Sequence, residues 1–142
     1  MKTFVFPLLI FLMAVLILLT SGCSNEAERH YNTGVELQEQ GRLEEAIVEY
    51  NEAISLDPEL AEAYSNRGIV YVNKGEYDKA TAAFDRAIEL DPQVADAYLG
   101  RGLAYGSKGE YDKALSDLEK CIELSNNPAL VELAQQLLDE LR

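Results

Sequence analysis

The sequence predicts an all-α fold in which three helical hairpins stack into a solenoid and a C-terminal helix closes the stack. Small residues recur at one constant interval along most of the chain. Glycine or proline stands wherever a helix of such a repeat has to end, and residues 128–142 place leucines along one helical face. A chain of 142 residues has room for one domain of ordinary size.

Residues 1–22 differ in composition from the rest of the chain. Lys2 is followed by an apolar run over 4–19 that is typical of a secretory signal peptide. The run is slightly shorter than a membrane-spanning helix, which needs roughly 17 to 25 residues. An uncleaved single-pass anchor is therefore the alternative. Either segment exports the chain beyond it, because the positive charge of Lys2 stays on the cytoplasmic side.

The end of this segment contains a second signal. Residues 19–23, Leu-Thr-Ser-Gly-Cys, resemble the lipobox of bacterial lipoproteins, although Thr20 stands where leucine is commonest. The resemblance implies that Cys23 carries a diacylglycerol thioether and a further acyl chain such as palmitate, and that 23–26 form a short tether. Two or more acyl chains give the double hydrophobic signal that stable anchoring requires. We therefore expect a protein anchored on the extracytoplasmic side of a membrane.

The repeats begin after this tether. Three sets of small residues share one spacing, which we call the repeat period: Gly34, Gly68 and Gly102; Gly41, Gly75 and Gly109; and Ala46, Ala80 and Ala114. This pattern resembles the tetratricopeptide repeat (TPR), whose period is likewise about 34 residues. The middle repeat matches best, at Tyr64, Gly68, Tyr71, Ala80, Phe84, Ala87 and Pro92. The resemblance implies a TPR superhelix with repeats at 27–60, 61–94 and 95–127.

Helix boundaries follow from glycine and proline. Gly41, Gly75 and Gly109 should end the first helix of each repeat, because glycine adopts the left-handed conformation that stops a helix. Asp-Pro at 57–58 and 91–92 should end the second helix, since proline forces its predecessor out of helical geometry and also begins a helix well.

The third repeat departs from the pattern at its end. Asn126 occupies the proline position, and Pro128 arrives later than the pattern requires. A further helix is predicted from Ala129 to Arg142. Its apolar face consists of Leu130, Leu133, Leu137, Leu138 and Leu141. This pattern favours a capping helix that shields the last hairpin, with an amphipathic partner-binding helix as the alternative.

Composition limits the chemistry of the chain. Eleven basic and 25 acidic residues follow Cys23, so this part carries a net charge of −14. Nucleic acid is therefore a poor partner, whereas basic or apolar protein segments meet no long-range repulsion. The single histidine, His30, and the two cysteines are too few for a zinc cluster or a nucleophile–base pair. His30 is expected to pack where later repeats have tyrosine, and Cys121 to be a buried, unreactive residue. We expect no enzyme, cofactor or metal site.

In TPR proteins the first helix of each repeat lines a concave groove, and the resemblance assigns groove positions in this chain. Val35, Ile69 and Leu103 share one position and form an apolar row. Three acidic residues border the row: Glu28, Glu62 and Asp96. Asn32 and Asn66 are expected to bond a ligand backbone. The predicted binding residues are Tyr31, Asn32, Val35, Glu62, Asn66, Ile69, Asn73, Asp96, Leu99 and Leu103.

Some TPR proteins grip chaperone C-terminal carboxylates with lysine, arginine and asparagine at five groove positions. Only Asn66 matches here, and the other four positions hold Tyr31, Val35, Asp96 and Gly100. We therefore expect no carboxylate clamp.

The sequence thus predicts a non-catalytic, membrane-tethered adaptor of the cell envelope that holds an apolar or basic protein segment in its groove. Two alternatives are a self-associating structural repeat protein and an accessory subunit of an envelope enzyme. The C-terminal helix argues against self-association, because it closes one end of the stack.

Overall fold

The computed structural model describes residues 25–142, and the regular structure in this part is entirely α-helical. The all-α prediction is confirmed. The predicted signal peptide at 1–22 and the predicted lipidation site Cys23 lie outside the described residues. The helices are α1 (25–39), α2 (Leu43–Leu56), α3 (Ala61–Asn73), α4 (Tyr77–Leu90), α5 (Ala95–Ser107), α6 (Tyr111–Leu124) and α7 (Pro128–Leu141). No helix among these residues is long and apolar enough to cross a membrane.

Helix α1 includes residues that the sequence placed in the tether. Asn25 and Glu26 are already helical. An ion pair of 3.0 Å between Arg29 Nη2 and Glu26 Oε1, one helical turn apart, contributes to this first turn. The described part of α1 thus already includes the last two residues of the predicted tether over 23–26.

Each hairpin consists of two antiparallel helices that meet at a glycine. Gly41, Gly75 and Gly109 have φ angles of 73°, 74° and 77°, so the predicted left-handed helix ends are confirmed. Around Gly41 the amide of Arg42 donates to the Leu37 carbonyl at 2.9 Å, and Gly41 donates to Gln38 at 3.0 Å. This pair of bonds is a Schellman motif, which satisfies carbonyls that the helix end would otherwise leave unpaired.

The turns between hairpins differ from the prediction in one respect. Helix α2 ends at Leu56, immediately before Asp57, as expected. Pro58, however, does not begin the next helix, because α3 starts only at Ala61. The Asp57 carboxylate accepts a bond from the Glu59 amide at 3.0 Å, and this local turn closes before the helix starts. The equivalent turn at Asp91 repeats the arrangement.

Close contact between hairpins depends on Phe84, which is fully buried. Its ring lies against Gly68 of its own hairpin and against Gly100 of the next one. A Cβ atom at Gly68 would lie 2.7 Å from the ring, and one at Gly100 would lie 2.3 Å from it. The missing side chains therefore allow α3 and α5 to approach the same aromatic ring.

Helix α7 caps the stack by packing on α6. Ala134 and Leu138 are buried against Leu118 and Cys121. The expected apolar face is wrong at Leu133, which is 44% exposed. Ala134 takes its place in the core because it stands one repeat period after Gly100 and meets Leu118 as Gly100 meets Phe84. Helix α7 thus occupies the position of the first helix of a fourth repeat.

The outer side of α7 is polar at the positions that would face the second helix of a fourth hairpin. A fourth hairpin would need an apolar face on α7 for its second helix, at the positions one repeat period after Tyr98, Gly102 and Tyr105. Those positions hold exposed polar residues: Glu132, Gln136 and Asp139. A further helix would bury these groups without partners, which is costly.

Candidate peptide-binding groove

The first helices of the hairpins, together with α7, lie side by side and form one surface, which we call the groove. A hydrogen bond of 3.1 Å from Asn66 on α3 to Tyr31 on α1 joins the first two of these helices. Pockets open at the two ends of the groove, one between α1 and α3 and the other between α5 and α7. The protein's own side chains therefore leave space for a ligand.

The first pocket, which we call the acidic pocket, has a volume of about 290 Å³. It lies where α1 and α3 begin, next to the turn between hairpins. Its lining residues are Ala27, Glu28, Tyr31, Asn32, Asp57, Leu60 and Glu62. Three of them are acidic and none is basic, so the pocket favours a cation.

The second pocket, which we call the apolar pocket, has a volume of about 230 Å³. It lies toward the C-terminal ends of α5 and α7. Its lining residues are Gly102, Leu103, Gly106, Ser107, Leu118, Leu137, Glu140 and Leu141. Gly106 leaves room in this pocket, since a Cβ atom there would have no neighbour closer than 3.9 Å. Leucine side chains and bare helix backbone suit one apolar ligand side chain.

The predicted apolar row continues onto α7. Val35, Ile69 and Leu103 are each half-buried and pack against the core clusters below them. Leu137 stands one repeat period after Leu103 and also lines the apolar pocket. The sequence pattern places Leu137 on the apolar face of a capping or partner-binding helix and does not assign it to the groove. The repeat period was the signal that could have identified it.

A polar cluster occupies the groove between α1 and α3. The Asn66 amide donates to the Tyr31 hydroxyl, and the buried Tyr50 hydroxyl donates to Gln38 Oε1 at 2.8 Å. One N–H of the Asn66 amide is therefore engaged within the protein, and the role of Asn66 toward a ligand backbone stays a prediction. The first repeat places two tyrosine hydroxyls, those of Tyr31 and Tyr50, in a partly buried environment where each needs a hydrogen-bond partner.

Burial sets the ionisation of the same cluster. It raises the pKa of the Tyr50 phenol to about 12, and the nearby Tyr31 adds to the effect. Burial also raises the pKa of Tyr31, with a smaller contribution from the negative charge of Glu62, while the Asn66 hydrogen bond opposes it. Both phenols therefore stay neutral at physiological pH and act through hydrogen bonds.

The remaining predicted groove residues divide by exposure. Asn32, Glu62, Asn73 and Asp96 are exposed and accessible to a ligand. Leu99 is only 7% exposed, because it packs with Leu118 and with Leu138 of α7. Its side chain belongs to the core between hairpin and cap and is not part of the open surface.

Outside the groove, two residues considered for chemistry have structural roles. His30 does more than pack, since its Nδ1 atom lies 2.6 Å from Glu49 Oε2 and joins α1 to α2. Cys121 is buried as expected, and burial, with a contribution from Asp96, raises the pKa of its thiol to about 11. Among residues 25–142, no group of His, Cys, Asp and Glu is arranged to hold a metal ion.

Comparison with known proteins identifies the repeats. A family model described as TPR repeat matches residues 34–75, and a model described as tetratricopeptide repeat matches 61–94 and 95–128. Together they extend over most of the described chain. A search of curated proteins found no significant relative.

Several solved structures are similar over most of the chain. The first TPR of Spaghetti (RPAP3), solved with the HSP90 peptide SRMEEVD, is 25% identical, with a TM-score of 0.78 over 83% of this chain and 91% of that one. The TPR2B domain of yeast Sti1, solved as a pHsp70 complex, is 28% identical, with a TM-score of 0.78 over 82% and 95%. MamA is 35% identical, with a TM-score of 0.66 over 70% of this chain and 58% of MamA.

Proposed function

We propose that this chain, which belongs to the tetratricopeptide repeat family, is a non-catalytic adaptor that holds a segment of another protein in its groove. Similar TPR domains have been solved with HSP90 and Hsp70 ligands, so peptide binding is a property of related domains. The observation that carries the proposal is the open groove itself, with an acidic pocket at one end and an apolar pocket at the other.

We further propose that the adaptor is exported and tethered to the outer side of a membrane. Support comes from the apolar run over 4–19 and from the lipobox-like residues 19–23 that end in Cys23. Intact-mass analysis tests this, because a lipoprotein loses residues 1–22 and gains acyl mass on Cys23, and globomycin blocks that cleavage. An unmodified chain of full length would instead indicate the single-pass anchor.

The groove is tested by affinity purification from detergent extracts with matched variants. Leu103→Glu places a charge in the apolar row and should abolish capture of the partner. Val48→Glu is the control, because Val48 is 57% exposed on α2, outside the groove residues. A partner that still copurifies with folded Leu103→Glu protein would contradict groove binding.

The groove also predicts which peptides do not bind. An acidic chaperone tail would meet the negative pocket of Glu28, Asp57 and Glu62, and the clamp positions offer no lysine or arginine. We expect no measurable affinity for a peptide ending in Glu-Glu-Val-Asp by isothermal titration calorimetry. Binding in the micromolar range would refute this expectation. The first TPR of Spaghetti (RPAP3) is a suitable control domain, since it was solved with the HSP90 peptide SRMEEVD.

Self-association by further stacking is the less favoured function. The α7 positions that would face the second helix of a fourth hairpin hold the polar residues Glu132, Gln136 and Asp139. Sedimentation at increasing concentration should therefore report one species.

A further inference from the structure

We propose that the groove selects a bipartite ligand, an extended peptide whose basic side chain enters the acidic pocket while an apolar side chain about six residues away enters the apolar pocket. This inference rests on the proposed function and specifies the chemistry and spacing of the partner. It makes the C-terminal helix part of the binding surface as well as a cap.

The acidic pocket is suited to a lysine or arginine side chain. Glu28 and Glu62 are exposed, and Asp57, in the turn between hairpins, is partly buried; all three line the pocket. The nearest basic residue in sequence, Arg29, is paired with Glu26 and does not line the pocket. The three carboxylates therefore have no cation of the described chain among the pocket residues. Burial, together with the charge of Glu62, raises the pKa of the neighbouring Tyr31 hydroxyl.

The apolar pocket provides the second contact. Leu103 and Leu118 form one wall, and Leu137 and Leu141 of α7 form the other. Glu140 is the only charged residue in the lining, so a basic side chain near the rim is tolerated but an acidic one is repelled. The pocket could not exist without α7, because half of its leucines come from that helix.

The separation of the two pockets sets the spacing of the ligand. They lie two helix-to-helix steps apart across the groove, which is about 16–20 Å at the usual packing distance. They are also offset along the helix axes by about two turns, roughly 11 Å. An extended chain covers the resulting distance of about 20–23 Å with roughly six to seven residues at about 3.3 Å each. A helical ligand would need roughly 14 residues for the same distance.

The test uses capped synthetic peptides with one arginine and one leucine joined by Gly/Ser spacers of different length, titrated into the full-length protein in detergent. Binding is followed by fluorescence anisotropy of a terminal dye. Affinity should be highest when about five spacer residues separate the two side chains, and at least about fivefold weaker for spacers of about two or twelve. Equal affinities at every spacing, or no binding by any peptide, would overturn the proposal.

Two variants separate the contributions of the pockets. Glu62→Gln should remove the advantage of arginine over glutamine in the peptide and leave the advantage of leucine over serine unchanged. Gly106→Leu fills the apolar pocket without deleting a protein contact. It should remove the advantage of leucine over serine in the peptide and leave the advantage of arginine over glutamine unchanged. If both variants weaken all peptides equally, the bipartite assignment is wrong.

The failure of this inference can be told apart from the failure of groove binding. A natural partner that is lost with Leu103→Glu but shows neither spacing dependence nor sensitivity to Glu62→Gln would leave the adaptor function intact and refute the bipartite ligand. A partner that Leu103→Glu still captures would refute both.

Discussion

Arg67 and Arg101 occupy the same position of successive repeats but have different surroundings. Arg101 donates from Nε and Nη2 to the two carboxylate oxygens of Asp117, each at 2.8 Å, and from Nη1 to Asp85 at 2.6 Å. Arg67 donates from Nη1 to Asn51 at 2.6 Å, but its buried Nε atom has no acceptor. The reason is that Ala83 stands one repeat period before Asp117, where the acceptor would be.

We predict that Ala83→Asp is tolerated in this buried position, although a new buried carboxylate is normally destabilising. The new side chain can bond Arg67 as Asp117 bonds Arg101, a charge-assisted pair with two parallel bonds. A double-mutant cycle with Arg67→Met, measured by urea unfolding, should give a favourable coupling of about 1.5–3 kcal/mol. A coupling near zero would show that the Arg67 guanidinium cannot reach the introduced carboxylate.

The matched control removes the carboxylate at the equivalent position of the next repeat. Asp117→Ala removes the bidentate partner of the half-buried Arg101 and should lower the free energy of unfolding by roughly 2–4 kcal/mol. Asp85→Ala should cost less than about 1 kcal/mol, because Asp85 is half exposed and its pair is screened by solvent.

A second prediction at this scale concerns Cys121. Its thiol is fully buried, and its pKa is raised from 9.0 to about 11. In a Cys23→Ser variant, iodoacetamide at pH 8 should react with Cys121 only as fast as the protein unfolds, so that reactivity and urea-induced unfolding coincide. Between about pH 9 and pH 11 the thiol ionises in the unfolded state first, and stability should therefore fall as pH rises. Rapid labelling of the folded protein would show that the core around α7 opens locally.

Helix α5 packs closely on the Phe84 ring and also borders the groove. Gly100 faces the Phe84 ring, whereas Gly106 faces open space above Ala114 and Leu141. Gly100→Ala should destabilise the protein by about 1–3 kcal/mol, because the added methyl group overlaps a ring that is itself enclosed. Gly106→Ala, the same substitution in the same helix, should be neutral or stabilise by up to about 1 kcal/mol.

Thermal unfolding followed by circular dichroism measures both variants. If Gly100→Ala were as stable as the parent protein, hairpins 2 and 3 would have to shift apart without cost. That result would contradict the close packing that Phe84 mediates.

Element positions could be predicted from the sequence where one residue type determines the backbone. Gly41, Gly75 and Gly109 end the first helices with positive φ angles, as predicted. Gly68 recurs with the same period but lies inside α3, so recurrence alone does not mark a helix end. Proline is less informative, because it ends the preceding helix but need not begin the next one. At Pro58 the Asp57 side chain closes a turn first, and this depends on a local hydrogen bond that the pattern does not encode.

Side-chain roles in the groove were harder to predict because they depend on neighbouring helices. Asn66 has a free amide in an isolated helix, but it bonds Tyr31 once α1 and α3 are stacked. Leu99 lies on the exposed side of α5 until α7 covers it. The acidic pocket likewise combines residues of two helices and a turn, so its volume follows only from their packing.

At the scale of the whole molecule, ion pairs link successive hairpins in a regular way. Lys74 pairs with Glu44 of the preceding hairpin at 3.4 Å, and Lys108 pairs with Asp78 at 2.8 Å. The next acidic position in this series is Asp112, and the next basic position is Arg142 at the end of α7. Arg142 pairs with Glu119 instead, and Asp112 forms no ion pair among the described residues. The series therefore does not continue between the third hairpin and α7.

The last prediction concerns the placement of this stack relative to a membrane. If Cys23 is acylated, Asn25, the first described residue of α1, follows the anchor by two positions, which holds the start of the described stack within about 10 Å of the headgroups. A partner bound there would be held beside the bilayer.

A flexible spacer of roughly 30 Gly/Ser residues between Ser24 and Asn25 lets the body move several tens of ångströms away. Capture of a membrane-bound partner in cells, measured by crosslinking, should fall severalfold, while copurification of the same partner in detergent stays unchanged. The same spacer placed after Arg142 should alter neither readout. Undiminished crosslinking with the N-terminal spacer would mean that the tether serves only as an anchor, because effective concentration near the membrane would not limit binding.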